Sequence, residues 1–296
     1  MLQNQSEPIE LSVILPCFNG AATIRHQLDA LTEQRWDKRW EVIVADNGST
    51  DASRMVIESY KDQLDLRVVD AADRKGASHA RNVGASTARG AALAFCDADD
   101  EVASGWVAAM GEALLKHEFV ACRVDFNKLN ELSVRTIFRN HAQHQGLCKV
   151  WFPPYLSHAG AGTLGVRKSL HDSIGGFDET VLMQEDTDYC FRIQRAGVDL
   201  HFVAEALLHV RCRSSLTKLA RQAFSWSECT VLLYKRYRPS GNRELWRWRS
   251  FIRQCKNLFL SLPQIHSKEG RALWIWNFGW QLGRLSGSIK HRVPPV

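Results

Sequence analysis

Between residues 11 and 101 a short apolar run and a helical pattern alternate four times, and this constrains the fold more than any other feature. The runs are LSVILP (11–16), WEVIVAD (40–46), LRVVD (66–70) and AALAFCD (91–97). After the first, Ile24, Leu28 and Leu31 are spaced for one helical face. After the second, the turn NGSTD leads into a helix over Ala52 to Lys61. After the third, GASHARNVGASTARG reads as a small-residue helix that Gly90 stops. Strands and helices alternating at these intervals predict an α/β fold, a mixed, mostly parallel sheet covered by helices on both faces. Ligands of such sheets sit at the carboxyl ends of the strands. Asn19, Asp46, Asp73 and Asp97 each fall just beyond such an end.

The fourth run closes on FCDADDEVA (95–103), three aspartates and a glutamate within five positions. Aspartates terminate strands and favour turns and helix starts, so an acidic turn is one reading. The other is that Asp97 and Asp99 point the same way and grip Mn²⁺ or Mg²⁺ through hard oxygen ligands.

Further along, a helix is expected from about Val102 to His117, then a strand at VACRVDF and a helix at LNELSVRTIFRNHAQ. GLCKVWFPPYLSHAGAG reads as a loop over the site. AGTLGVRKSLHDSIGGFDE reads as a strand, a short helix and a Gly-Gly turn. QEDTDYCFRIQRAG opens a helix with acids and runs to a stop at Gly197, and LHFVAEALLHVRCR supplies the last strands.

The 296 residues, 45% hydrophobic and 24% charged, suit one large domain with an appendage. The polar start, Met1 to Glu10, lacks the basic-then-apolar order of a signal peptide. The nearest approach to a membrane span, Ala272 to Gly283, is short and holds Asn277 and Gln281. The eight cysteines are scattered without a C-x-x-C pair and read as reduced thiols, which points to the cytoplasm. From Ser214 onward there are fifteen Lys and Arg against three Asp and Glu, whereas the preceding residues carry a net negative charge. A boundary is therefore expected near 213, dividing a catalytic domain (1–213, nucleotide half about 11–101, acceptor half about 102–213) from a basic, Trp-rich helical extension (214–296).

VILPCFNG, VADNGSTD, GASHARNVGASTARG, FCDADD, GGFDE and QEDTDYCFR, in this order over about 11–213, together resemble the family 2 glycosyltransferases of GT-A fold. The resemblance implies an inverting, metal-dependent transfer of a sugar from a UDP-, GDP- or TDP-sugar donor. The acceptor would be a saccharide or a lipid-linked molecule, in the synthesis of cell-surface polysaccharide or glycolipid. It implies Asp186 as the base, with Glu185 orienting the acceptor. Both also sit at a helix N-terminus, where the macrodipole alone favours acids. It places Pro16, Asn19 and Asp46 around the nucleotide, Arg81 near nucleotide and acids, and Gly160 to Gly162 behind the donor sugar. Asp73 and Lys75 are further nucleotide candidates, and His209 is a metal ligand beside Asp97 and Asp99. Arg81 and His209 each also have a plain structural reading, as an ion pair and as a residue closing a strand. Processive members carry Q-x-x-R-W; here QAFSW (222–226) has Ser225 in the arginine position, which points to single additions.

The extension repeats cations among aromatic and aliphatic residues in RELWRWRSFIRQCKNLFLSLP and KEGRALWIWNFGWQLGRLSGSIKHR. Leu219, Ala223, Trp226, Thr230 and Leu233 make one helical stripe, and Trp248, Ile252, Cys255 and Phe259 another. Such helices suit the headgroup region of an anionic cytoplasmic leaflet, or pack on the catalytic domain; no nucleic-acid module is recognisable. Two other enzyme classes find no support: a nucleotidyltransferase or dinucleotide enzyme needs a glycine-rich phosphate loop, and PCFNGAAT is not one. An inactive sugar-nucleotide-binding scaffold is the non-enzyme alternative.

Overall fold

The computed structural model describes residues 8–239 and 246–296. Most of the polar start and the opening Arg243 to Leu245 of the basic segment lie outside the described residues. The chain divides into two compact units. The first comprises residues 1–125, 142–148 and 157–210; the second comprises 126–141, 149–156 and 211–296. Two segments from before residue 213 thus cluster with the C-terminal helices.

In the first unit the strands are β1 (Leu11–Cys17), β2 (Trp40–Asp46), β3 (Leu66–Asp70), β4 (Ala92–Phe95), β5 (Glu101–Val102) and β6 (Phe119–Asp125). After them come two-residue strands β7 (Cys148–Lys149, its second residue in the other unit) and β8 (Ser157–His158), then β9 (Leu164–Arg167) and β10 (His201–His209). The helices are α1 (Ile24–Thr32), α2 (Ser53–Glu58), α3 (Ala77–Thr87), α4 (Trp106–Lys116), α6 (Lys168–Ser173) and α7 (Glu185–Arg195), with α5 (Leu132–Phe138) in the other unit. Among the described residues the main sheet has eight strands in the order β3-β2-β1-β4-β9-β6-β10-β5. β1 pairs in parallel with β2 and β4, and β2 with β3, as the alternation predicts. β9 runs antiparallel between β4 and β6, and β5 antiparallel to β10, so the sheet is mixed.

Period-two geometry sorts the core. Leu11, Val13 and Leu15 face Ile24, Leu28 and Leu31 of α1 and Trp106, Val107 and Met110 of α4. Ile14 joins Leu93 and Phe95 against Leu170, Tyr189 and Ile193 on the other face. Each fully buried Leu or Ile contributes about 2 kcal/mol.

The connection from β4 to β5 fixes the shape of the sheet. Three strands lie between them, so a flat sheet would separate them by about four spacings, about 19 Å. The six steps from Phe95 to Glu101 reach about 20 Å only when fully extended, and this segment contains a turn at Ala98–Asp99. The sheet must curl, and curling brings the end of β10 to the acidic segment: His209 pairs with Glu101.

Gly90 is not the stop of α3. The helix ends at Thr87 because Ala88 is already extended. Gly90 is needed for contact instead: a Cβ there would stand 2.6 Å from the backbone nitrogen of Ser12. The helix expected from Val102 begins at Trp106, because Glu101–Val102 is taken into the sheet as β5.

In the second unit the helices are α5, α8 (Leu216–Tyr237), α9 (Trp246–Leu260) and α10 (Lys268–His291). Gly279, Gly283 and Gly287 of α10 pack on the backbone of Ala220, Phe224 and Glu228 of α8, so closely that a Cβ at Gly283 would lie 2.1 Å from the Phe224 carbonyl oxygen. The expected stripe on α8 buries Leu219, Ala223, Thr230 and Leu233, with Trp226 set edge-on to Trp276 at 5.6 Å. No helix among the described residues is long and apolar enough to cross a membrane.

Candidate active site

Three strand ends and one helix start assemble the candidate site. Pro16, in an otherwise buried central strand, is tolerated because β1 pairs with β4 only as far as Ile14 opposite Phe95. Beyond that point β1 and β4 diverge and open the edge of the sheet. Asp46, at the end of β2, accepts the Ser49 N–H at 2.9 Å. Asn19 adopts a left-handed φ of 49°, which Asn tolerates, and its Oδ1 accepts the Thr50 N–H at 2.8 Å. Asn47 organises the next loop, donating from Nδ2 to the carbonyls of Ala71 (2.5 Å) and Arg74 (2.7 Å) and accepting the Gly76 N–H (2.8 Å). On that loop Lys75 is exposed. Asp73 turns to His79 Nε2 at 2.8 Å, and His79 Nδ1 meets Glu179 at 3.1 Å.

The acidic segment is held from behind by a residue that the motifs do not reveal. Gln27 of α1 is fully buried. Its Nε2 donates to the Asp97 carbonyl at 3.2 Å, and its Oε1 accepts the Val102 N–H at 2.9 Å. A signal existed: Gln27 is a polar residue lying three positions after Ile24, inside the apolar stripe of α1.

Arg81 is the junction of the site. Its side chain is 4% exposed, and it donates to Asp97 Oδ1 at 2.7 Å and to Glu185 Oε1 at 2.9 Å. Burial opposes its charge, but Asp97 and Glu185 outweigh that and hold the guanidinium firmly protonated. It also lies over the Phe177 ring, 5.6 Å from the centroid.

Glu185 and Asp186 open α7, preceded by Gln184 in a left-handed conformation (φ 56°). Such a conformation costs a non-glycine residue roughly 1 kcal/mol and marks an imposed geometry. Asp186 Oδ1 accepts the Thr187 N–H at 2.6 Å, and Oδ2 accepts the Ala161 N–H at 3.3 Å. The Thr187 hydroxyl lies 3.3 Å from both Asp186 Oδ1 and His158 Nδ1. Burial pushes Asp186 above the usual carboxylate range, against the hydrogen bonds and Arg81. Burial also raises Glu185, with Asp186 adding to it and Arg81 opposing it. Burial lowers His158 to about 4, so it is neutral at physiological pH.

The resemblance named His209, Gly160 and Gly162 as well. A register shift in β10 between Val203 and Leu207 precedes His209, and bulges often re-aim side chains at sites. His209 Nδ1 meets Asp125 Oδ2 at 3.0 Å, the carboxylate–histidine arrangement that orients a ligating imidazole. Gly160 carries the carbonyl that accepts the Thr163 hydroxyl at 2.6 Å. A Cβ on Gly162 would lie 3.0 Å from Asp97 Cγ and Oδ2, so only glycine leaves that carboxylate oxygen its space.

Carboxylate oxygens and a carboxylate-backed imidazole are donor types that a divalent cation accepts. Among the described residues no three His, Cys, Asp or Glu side chains form a metal site by themselves.

The description "Glycosyl transferase family 2" matches residues 12–175, more than half of the chain, and "Glycosyl transferase family group 2" matches 96–286. The chain belongs to glycosyltransferase family 2. Among the relatives of this family 2 glycosyltransferase, the glycosyltransferase AglE of Haloferax volcanii is 27% identical over 207 residues, 67% of this chain and 65% of that protein. The pre-mycofactocin glycosyltransferase of Mycobacterium tuberculosis is 29% identical over 229 residues, 73% of this chain and 46% of that protein. The chain thus spans about half to two thirds of the length of these curated relatives. Among solved structures, mannosyltransferase PcManGT of Pyrobaculum calidifontis, in complex with GDP-Man and Mn²⁺, superposes with a TM-score of 0.65 at 18% identity, covering 97% of this chain and 88% of that one. Staphylococcus aureus TarS 1–349 in complex with UDP-GlcNAc gives 0.56 at 16% identity, covering 96% and 93%. At these identities the neighbours establish the fold, and it is GT-A.

Proposed function

We propose that the family 2 glycosyltransferase moves a sugar from a nucleotide-diphosphate donor to a hydroxyl of a saccharide or lipid-linked acceptor, one residue at a time and with inversion. The observation that carries this is Arg81, which ties Asp97 on the donor side to Glu185 beside Asp186 on the acceptor side. Asp97 and Asp99, with His209, would hold Mn²⁺ or Mg²⁺, whose charge stabilises the departing diphosphate. Such ions take one or two carboxylates plus phosphate oxygens and water, which suits a site that is incomplete without the donor.

In the step itself the acceptor oxygen bonds to the anomeric carbon while the bond from that carbon to the phosphate oxygen breaks. The acceptor proton passes to Asp186 Oδ2, whose raised proton affinity suits a base, while the Thr187 N–H fixes Oδ1. Glu185, held by Arg81, orients the acceptor. Pro16, Asn19 and Asp46 border the nucleotide; Asp73 and Lys75 reach it only from the exposed loop. Neighbours holding UDP-GlcNAc and GDP-Man support the nucleotide-sugar class. A cytoplasmic setting in cell-surface polysaccharide or glycolipid synthesis belongs to the same reading, supported by buried thiols such as Cys96 and Cys122.

The test is thermal shift with UDP, GDP, TDP and CDP, each with Mn²⁺ and with chelator, since a ligand selective for the folded state raises the melting temperature. One nucleotide should stabilise the protein, and only with metal. Asp186→Asn should then abolish transfer and keep that shift. A folded protein that no nucleotide stabilises would refute the donor reading, and one that a nucleotide stabilises but that transfers no sugar would favour the scaffold alternative.

A further inference from the structure

In the second stripe read from the extension, Trp248, Ile252, Cys255 and Phe259, Cys255 is half-buried beside Arg284 of α10, whereas Ile252 and Phe259 are largely exposed. α9 is seated on α8 and α10 chiefly through other residues. Arg247 lies over the Tyr234 ring at 5.0 Å, Phe251 under Arg284 at 5.2 Å, and the Leu258 carbonyl accepts from Trp274 Nε1 at 3.0 Å. The rest of the stripe stands beside that seam and is open: Ile252 is 63% exposed and Phe259 69%, with Leu260 at 69% beyond it. About 100° further round the helix runs a row of exposed cations, Arg249, Arg253 and Lys256. No acidic residue occurs between Trp246 and Ser267 to neutralise it.

We propose that this face of α9 lies in the headgroup region of an anionic lipid leaflet, with the stripe inserted and the cation row on the lipid phosphates. An apolar stripe flanked by a cation row, with tryptophans at one end, is the pattern of an in-plane interfacial helix. A second copy of the chain is a poorer occupant, because it would set one uncompensated cation row against another. The surface is independent of the transfer reading, since neither unit's chemistry enters it.

The experiment is co-sedimentation of the intact chain with phosphatidylcholine vesicles, with and without about a third phosphatidylglycerol, at low and high salt. Binding is expected only to the anionic vesicles and should weaken with salt. Arg249→Gln, Arg253→Gln and Lys256→Gln should each weaken it about fivefold, roughly a hundredfold together. Ile252→Glu with Phe259→Glu should weaken it at least about tenfold, with the melting temperature unchanged because both side chains are exposed. If that pair fails to fold, Ile252→Ser with Phe259→Ser replaces it. Absence of binding, equal binding to neutral vesicles, or full binding by the folded apolar variant would each overturn the proposal. So would a concentration-dependent dimer that Ile252→Glu abolishes.

Discussion

Replacing Arg81 with methionine keeps the aliphatic volume and removes the charge that two carboxylates share. Glu185 is 16% exposed and Asp97 36%. Removing one partner of a buried pair costs about 3–5 kcal/mol when the other charge stays in place. The Asp97 contact, more than a third exposed, adds only about 0.5–1 kcal/mol. Glu185 need not stay charged, however: burial already raises its proton affinity, and without Arg81 only a backbone hydrogen bond opposes that. Protonation caps the Glu185 cost near pH 7 at about 3 kcal/mol, since each pKa unit above the ordinary value is worth about 1.4. A carboxyl whose folded pKa is raised contributes stability below its unfolded pKa and loses it as pH rises through the folded one. The cost of Arg81→Met, with the Asp97 contact included, should therefore be about 4 kcal/mol near pH 7 and about 1.5–2 near pH 5. Urea unfolding at both pH values, with unchanged denaturant dependence, measures it. Glu185→Gln in the same background should cancel about 2 kcal/mol of the cost near pH 7. A cost below about 1 kcal/mol near pH 7, or one independent of pH, would refute the junction role.

Gln27→Met leaves the Val102 N–H and Asp97 carbonyl without their amide partner, so it should cost about 1–3 kcal/mol in urea unfolding and shrink the metal-dependent nucleotide shift. Gly162→Ala pushes against Asp97, and it should shrink the nucleotide-induced thermal shift measured with Mn²⁺. Burial pulls His79 down, but hydrogen bonds to Asp73 and Glu179 outweigh it and hold the imidazolium above its ordinary 6.5. That contribution is full below 6.5 and is lost as pH rises through the raised value, so melting temperature followed upward from pH 6.5 should fall less steeply in His79→Gln.

The first four strands and their helices are legible because each buries a periodic apolar face locally, so sequence spacing and structure share one cause. The sheet's second half is less legible. LGVR carries no mark of direction, and only long-range pairing sets β9 antiparallel between β4 and β6. Gly90 shows the same limit: a glycine after a helix pattern fits a helix stop, yet its role depends on Ser12, far away in sequence. At the site, Arg81, Asp97 and Glu185 do meet. Gln27 escaped because an amide in an apolar stripe bears no motif, although its position there was the clue. The face of α9 shows the converse, since helical periodicity reveals that a stripe exists but not whether anything covers it.

The pairing of β5 with β10 also orders events during synthesis. The acids at 97–100 leave the ribosome well before His209, by several seconds at about 5–20 residues per second. Throughout that interval Glu101 and Val102 have no strand to join. A donor arriving early would meet part of its site, and its full grip would come only once the last strand is in place. On the proposed function, tight nucleotide capture in a cell would then report a chain made at least as far as β10, and the substrate would serve as an inspector of its own enzyme.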